Sequence, residues 1–400
     1  MPKGTSLKGI GISWRVAVTN ILMIGNAFTW YFLAFNVFRE ALGTIDVTTS
    51  ESLVFWGINF AAIAVAGLIG AILVERFKRR IPFILYWILA GVILSLLPSA
   101  LDLTNYVILA SASTIFGIYF GLGMTACMGY YADSTSTENR ARLGGVMFLF
   151  VGLGFFLLGT MTVGDIPTQI IMLATWRGIG FLILVFLKPI ENPLERSDKT
   201  SYATIISKQS FLLYFIPWCM FSLVNYATIP VTIEFFGEEF VVFSSLIENI
   251  LIATFAVISG FLADLFGRKR LTIMGFAMLG LGYAVLGIYP ENSLSWYLYT
   301  FIDGIAWGSF YTIFLIVLWG DLARGQRSEK YYAIGSLPFL FSNFVRVIVE
   351  SYVVEAVSVF TIFSFASFFL FLAVIPLMYA PETLPEKKIR ERELKQYIEK

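Results

Sequence analysis

The chain has 400 residues, of which 58% are hydrophobic and only 14% charged, and its formal net charge is +1. Soluble domains run nearer to about 45–50% apolar and ~25% charged, so this mixture cannot build a water-facing surface. It excludes a soluble enzyme, a disordered chain and a disulfide scaffold, and its long apolar blocks lack the every-second-residue alternation of a β-barrel strand. The near-zero charge balance gives bulk charge no say in partners, and no nucleic acid is expected.

A bilayer-spanning helix needs about 20 mostly apolar residues. In chain order the apolar blocks predict twelve spans: 14–37, 52–74, 81–101, 107–130, 143–163, 167–187, 211–235, 241–263, 270–289, 295–319, 331–353 and 357–379. The expected fold is therefore an all-α polytopic membrane protein. The first block is too long for a signal-peptide core and no small-residue cleavage site follows it, so it is read as a true span. The longest polar gap, 188–210, splits the spans six and six. The expected organisation is an N-terminal half over 1–187, a linker over 188–210, a C-terminal half over 211–380 and a charged tail over 381–400.

Basic residues set the orientation. With the even-to-odd loops and both tails on one face, 25 of the 28 Lys and Arg fall there. Acids such as Glu40, Asp46, Asp102 and Glu291 sit in the opposite loops. The basic face is the cytoplasmic one, which places both termini inside.

The halves repeat each other. Loop 2–3 reads Glu75-Arg76-Phe77-Lys78-Arg79-Arg80 and loop 8–9 reads Asp264-Leu265-Phe266-Gly267-Arg268-Lys269, with the acids 189 positions apart. Loop 4–5 carries Asp133, Glu138, Arg140 and Arg142, and loop 10–11 carries Asp321, Arg324, Arg327 and Glu329, with the aspartates 188 apart. One offset in two independent loops argues for duplication of a six-span unit, as in secondary transporters.

The most specific motif runs from Gly260 through Asp264, Gly267 and Arg268 to Arg270. An acid ends a span, a tight glycine turn follows, and cations stand ready to pair with it. This pattern resembles the loop 2–3 and 8–9 signature of the major facilitator superfamily. The first-half copy has Glu75 for the aspartate and Lys78 for the turn glycine. Pro381-Glu382-Thr383 after the last span and Pro189-Ile190-Glu191 after the sixth are similar to the proline-acid motifs of sugar-porter-like members. Span 10 lacks the sugar porters' proline-rich signature, and span 5 lacks the Gly-Pro motif of drug–proton antiporters. The resemblance implies two six-helix halves, alternating access, and a gate formed by Glu75, Arg76, Arg79, Asp133, Arg140, Gly260, Asp264, Gly267, Arg268, Asp321 and Arg327. It also implies that spans 1, 4, 7 and 10 line the path.

Charges inside apolar spans are costly and point to function. Glu248 lies in span 8 with Ser244, Ser245 and Asn249; the repeat places Asn59 opposite it in span 2. Asp303 lies in span 10, followed on one helical face by Trp307, Phe310 and Tyr311. An acid beside aromatic rings suits a sugar hydroxyl, a cation or a proton. Histidine is absent, so a proton-linked step must use such carboxylates. Arg346 with Glu350 reads either as an i, i+4 pair satisfied within the helix or as a partner for Asp303. Arg177 sits mid-span and reads as a snorkelling group, a carbonyl-bound one, or an anion contact. Asn26 and Trp30 in span 1 and Asn225 in span 7 are candidate cavity residues. Gly117 and Gly121 in span 4 read as close packing.

Only Cys127 and Cys219 are present, both within spans, and no metal or other cofactor is expected. No GxxxxGK[ST] loop occurs, so ATP is not the expected drive. The expected function is a non-enzymatic, monomeric secondary transporter of the plasma membrane that moves a small organic solute, sugar or metabolite, with protons. The alternatives are organic-cation or drug efflux, and a receptor without turnover.

Overall fold

A computed structural model describes residues 12–161, 166–191, 200–224, 228–323, 325–352 and 357–384. The predicted Asn225 and the tail from 385 lie outside the described residues. Arg346 falls in a described helix, but its side chain, like that of Glu350, lies outside the description.

The described residues contain ten helices long and apolar enough to cross a membrane. They correspond to predicted spans 1–6, 8–10 and 12. Span 1 is Trp14–Gly43, longer than expected, and spans 2 to 6 are Thr49–Val74, Ile81–Ala100, Tyr106–Ser134, Arg140–Leu158 and Ile166–Leu187. Spans 8, 9, 10 and 12 are Glu239–Phe266, Arg268–Ile288, Ser293–Ala323 and Val359–Tyr379. Predicted span 7 begins as a shorter helix, Gln209–Val224, with Pro217 inside it. Predicted span 11 is split between Glu329–Gly335 and Leu337–Tyr352. Between spans 7 and 8 the chain turns at Gly237, where φ is +81°.

Local chemistry sets the ends. Thr48 and Glu51 form a reciprocal capping box on span 2. Asn105, Asn292 and Ser358 accept from first-turn amides of spans 4, 10 and 12. In lipid there is no water to satisfy these donors, so caps at the membrane edge matter more than in a soluble helix.

Small residues set the spacing between helices. A Cβ on Gly117 would lie 2.9 Å from the carbonyl of Asn59, and one on Gly121 would strike the Ile63 carbonyl. Spans 2 and 4 therefore touch backbone to backbone, as predicted from the span 4 glycines. Gly304 and Gly308 do the same for span 10 against span 8, where Cβ atoms would meet Leu251 and Ile252.

Two compact units result. One comprises Met1–Thr135, Phe150–Lys199 and Gly325–Ile334; the other comprises Ser136–Leu149, Thr200–Arg324 and Gly335–Lys400. Each unit is thus one half of the sequence plus a short charged segment from the other half.

Candidate functional site

In the second unit, spans 8 and 10 bring two acids together. Gly304, directly after Asp303, has no side chain to hold the helices apart: a Cβ there would lie 2.6 Å from Leu251 and 3.3 Å from the Glu248 carbonyl. The Asp303 carboxyl lies beside the side chains of Glu248, Tyr299 and Trp307. Asp303 is buried while Glu248 is half-buried. Two carboxylates only accept hydrogen bonds, so such a pair can bond to itself only with a proton on one member. No cation pairs with either acid among the described residues.

Trp307 joins this pair to an aromatic wall. Its ring lies 4.8 Å from Phe221 and 4.8 Å from Tyr311, and Tyr311 stacks on Phe148 at 5.1 Å. From Tyr311 to Val317 span 10 widens into a π-helix, a feature frequent at functional sites. On span 7, Trp218 Nε1 and Ser222 Oγ, one turn apart, are buried without hydrogen-bond partners.

In the first unit, Arg177 is fully buried. Its Nη1 donates to Asn26 Oδ1 at 2.8 Å, and its Nη2 and Nε donate to the Tyr119 hydroxyl at 2.9 and 3.2 Å. Its guanidinium lies 4.3 Å from the Trp87 ring centre and 5.8 Å from that of Trp30. The cation is held by dipoles and π-faces, with no carboxylate in salt-bridge reach among the described residues. Trp30 in turn donates to Ser95 Oγ at 2.7 Å. Asn26 donates to the Trp176 carbonyl at 2.8 Å.

The loop charges form one network in each unit. In the second, Asp264 accepts from the backbone amides of Ala141 and Arg142 at 3.2 and 2.9 Å, capping span 5, and pairs with Arg268 at 2.8 Å. Arg268 also pairs with Asp321 at 3.1 Å, and Asp321 with Arg140 at 2.5 Å. Glu382 accepts from the amides of Arg268 and Lys269 at 2.9 and 3.1 Å, capping span 9. Gly267, at φ +100°, leaves room for that carboxylate, which a Cβ would strike. In the first unit Arg80 pairs with Asp133 and Glu329, both at 2.7 Å. Glu191 accepts from the amides of Arg80 and Ile81 at 2.7 and 3.1 Å, capping span 3. Burial pushes the Glu191 carboxyl above its usual range, and the two amides and the Arg80 charge only partly offset that. Glu75 pairs with Lys330 at 2.8 Å, and Arg327 donates to the carbonyls of Val74 and Phe77 at 3.2 and 3.3 Å.

No sequence-family profile matches the chain. Many solved structures do, among them two transporters. The major facilitator superfamily proton:xylose symporter XylE, bound to 6-bromo-6-deoxy-D-glucose, matches with a TM-score of 0.67 and 18% identity, over 93% of this chain and 97% of its own. The human organic anion transporter MFSD10 matches with a TM-score of 0.67 and 15% identity, over 90% of this chain and 98% of its own. The chain has the major facilitator fold. With its ten long apolar helices, it is an integral membrane protein.

Within that fold the predicted residues separate. Asp303, Glu248, Trp307 and Tyr311 are brought together. Asn26, Trp30 and Arg177 form a second, distinct cluster. Arg76 and Arg79 are exposed, and Arg80 is the buried hub of their loop. Arg80 had a signal, since it stands 188 positions before Arg268. Glu329 and Glu191 were visible as loop acids. Tyr299, Tyr119 and Trp87 carried no signal, because a tyrosine or tryptophan within an apolar span looks like packing.

Proposed function

We propose that this protein is a proton-coupled secondary transporter that moves a small polar organic solute by alternating access, with the Asp303–Glu248 pair as the proton-carrying group. The observation that carries the reading is the meeting of two carboxyl groups on adjacent spans: like charges held side by side resist ionising together, so one of them would keep a proton. Among the described residues no arginine or lysine neutralises the pair. The solute would lie against the Trp307–Tyr311 face, where Trp218 Nε1 and Ser222 Oγ remain to be filled. The protein would act as a monomer in the plasma membrane, with both termini cytoplasmic, consistent with the basic loops.

A second reading, exchange of an organic cation for a proton, is favoured by the aromatic rings beside the acid pair, since cations bind such faces. Purified protein in liposomes should be screened with D-xylose, D-glucose and a quaternary ammonium dye, with and without a pH gradient. Asp303→Asn and Glu248→Gln should abolish gradient-driven uptake and leave counterflow intact. Full gradient-driven uptake by both variants would remove the proton assignment, and uptake of the dye alone would select the second reading.

A further inference from the structure

Three cations of loop 2–3 take no part in the loop networks. Arg76, Lys78 and Arg79 stand between the end of span 2 at Val74 and the hub Arg80, and all three are exposed. Their side chains have no hydrogen-bond or ion-pair partner among the described residues. The matching loop of the second unit directs its cations to protein. Arg268 is buried between Asp264 and Asp321, and Lys269 Nζ donates to the Met378 carbonyl at 2.7 Å.

A fourth exposed cation stands nearby. Lys188 directly follows span 6, three residues before Glu191, whose carboxylate holds the Arg80 and Ile81 amides. Three residues reach at most about 11 Å, so the chain at Lys188 lies close to the start of span 3. The Lys188 side chain also has no partner among the described residues. Its backbone sits at φ +47°, a region that lysine rarely adopts and glycine adopts freely. A cation is kept where glycine would be relaxed. The acids around the four are already engaged: Glu75 with Lys330, Asp133 with Arg80, and Glu191 with its two amides.

Towards the lipid the surface turns apolar. Phe77, between Arg76 and Lys78, is exposed, with its ring 5.5 Å from Phe83 of span 3. Tyr86 on span 3, with Phe186 and Ile190 at the end of span 6, are each at least 73% exposed. Tyr86 is five residues past Ile81, about 7 Å along the axis, the depth of the boundary between headgroups and acyl chains.

We propose that Arg76, Lys78, Arg79 and Lys188 form a binding site for an anionic phospholipid of the leaflet on the basic face, with Phe77 and Phe186 against its acyl chains. Four cations beside a span are enough to hold acidic headgroups. A zwitterionic headgroup carries no net charge for them to attract. The site is independent of the solute and of the proton.

Full-length protein in detergent is titrated with dioleoyl phosphatidylglycerol or phosphatidylcholine, and bound lipid is counted by native mass spectrometry. Wild type should hold phosphatidylglycerol in preference. Each lysine or arginine near an anionic surface is worth about fivefold in affinity. Arg76→Gln combined with Arg79→Gln should therefore weaken phosphatidylglycerol roughly 25-fold and leave phosphatidylcholine unchanged. Lys188→Gly removes one cation together with its backbone strain, so it should melt at or above wild type while binding about fivefold less. Lys269→Gln combined with Arg270→Gln takes the same charge from the second unit's loop and should leave binding unchanged. Equal losses from the two double variants would reduce the site to general basicity and overturn it. Wild-type affinity in Lys188→Gly and in the loop 2–3 variant would also overturn it. Glycerol 3-phosphate carries the same phosphate without acyl chains. If it displaces the lipid at equal concentration, the occupant is a soluble phosphate ester and the lipid assignment falls.

Discussion

The two loop networks are copies of one design carried out with different chemistry. Arg80 matches Arg268, Asp133 matches Asp321, and Glu75 matches Asp264, each at an offset of 188 or 189. In the second unit Arg140 pairs with Asp321; the 189 offset puts an acid, Glu329, at the matching place in the other half, and in the first unit that acid turns to Arg80 instead. Asp264 is short, fully buried and caps two backbone amides. Glu75 is longer, partly exposed, and meets the end of a flexible lysine. A short acid on fixed amides has a single geometry, whereas a long acid on a long cation has many. The second network is therefore the stiffer latch, and the first is a looser tie built on the same plan.

The largest expected effect comes from removing the hubs. Arg268→Gln would take a cation from both Asp264 and Asp321, whose side chains are at 0% exposure, and leave Asp321 to Arg140 and Asp264 to its two amides and Arg142. Breaking a buried pair by removing one partner costs about 3–5 kcal/mol, so this variant should accumulate poorly and melt well below wild type. Arg80→Gln would strand Glu329 but leaves Asp133 at 48% exposure, in reach of water. Its loss should be roughly half as large. Size-exclusion thermal melts in detergent measure both, and equal losses would erase the asymmetry.

That asymmetry shows what a sequence gives up readily. The spans, the two-fold repeat and the acids Asp303, Glu248 and Asp264 are legible because a charge in an apolar run is costly and therefore visible. Arg80 is harder. It ends a run of basic residues, and only packing decides that it turns inward while Arg79 does not. Glu191 and Glu382 cap helices more than a hundred residues away, a pairing that no local pattern encodes. The Tyr283–Tyr299 contact is invisible for a different reason: the two hydroxyls meet only after spans 9 and 10 assemble.

The next effect concerns the latches themselves. Asp264→Asn removes charge from the caps on span 5 and from the Arg268 pair, contacts that a gate would hold in one conformation only. Loss of one charge-assisted contact is worth ~1–3 kcal/mol, or roughly a 5- to 150-fold shift between states. Transport should slow strongly while solute binding stays within a few-fold, since populations move and the site does not. Glu75→Gln should do less, because Glu75 pairs with the end of a long lysine chain and its side chain is not fully buried. Cysteine accessibility from each side, on a background lacking Cys127 and Cys219, reads the shift. Lost binding with unchanged accessibility would place Asp264 in the solute site.

The smallest effect tests the caps. Glu191 and Glu382 do the same work on spans 3 and 9, but burial holds the Glu191 carboxyl above its ordinary range. The folded protein then keeps the Glu191 proton more firmly than the unfolded chain does. A raised carboxyl value means that this contribution to stability is fully present below the usual glutamate range and is lost as pH rises through the folded value. Wild type should therefore melt lower at neutral pH than in mild acid by an increment that Glu191→Gln removes. The glutamine keeps a carbonyl oxygen to accept from Arg80 and Ile81, so the cap survives without the titration. The two melting curves should coincide in acid and separate towards neutrality, with the variant at least as stable there. A variant that is less stable at every pH would mean that the charge on Glu191, held by Arg80, outweighs the cost of burying it.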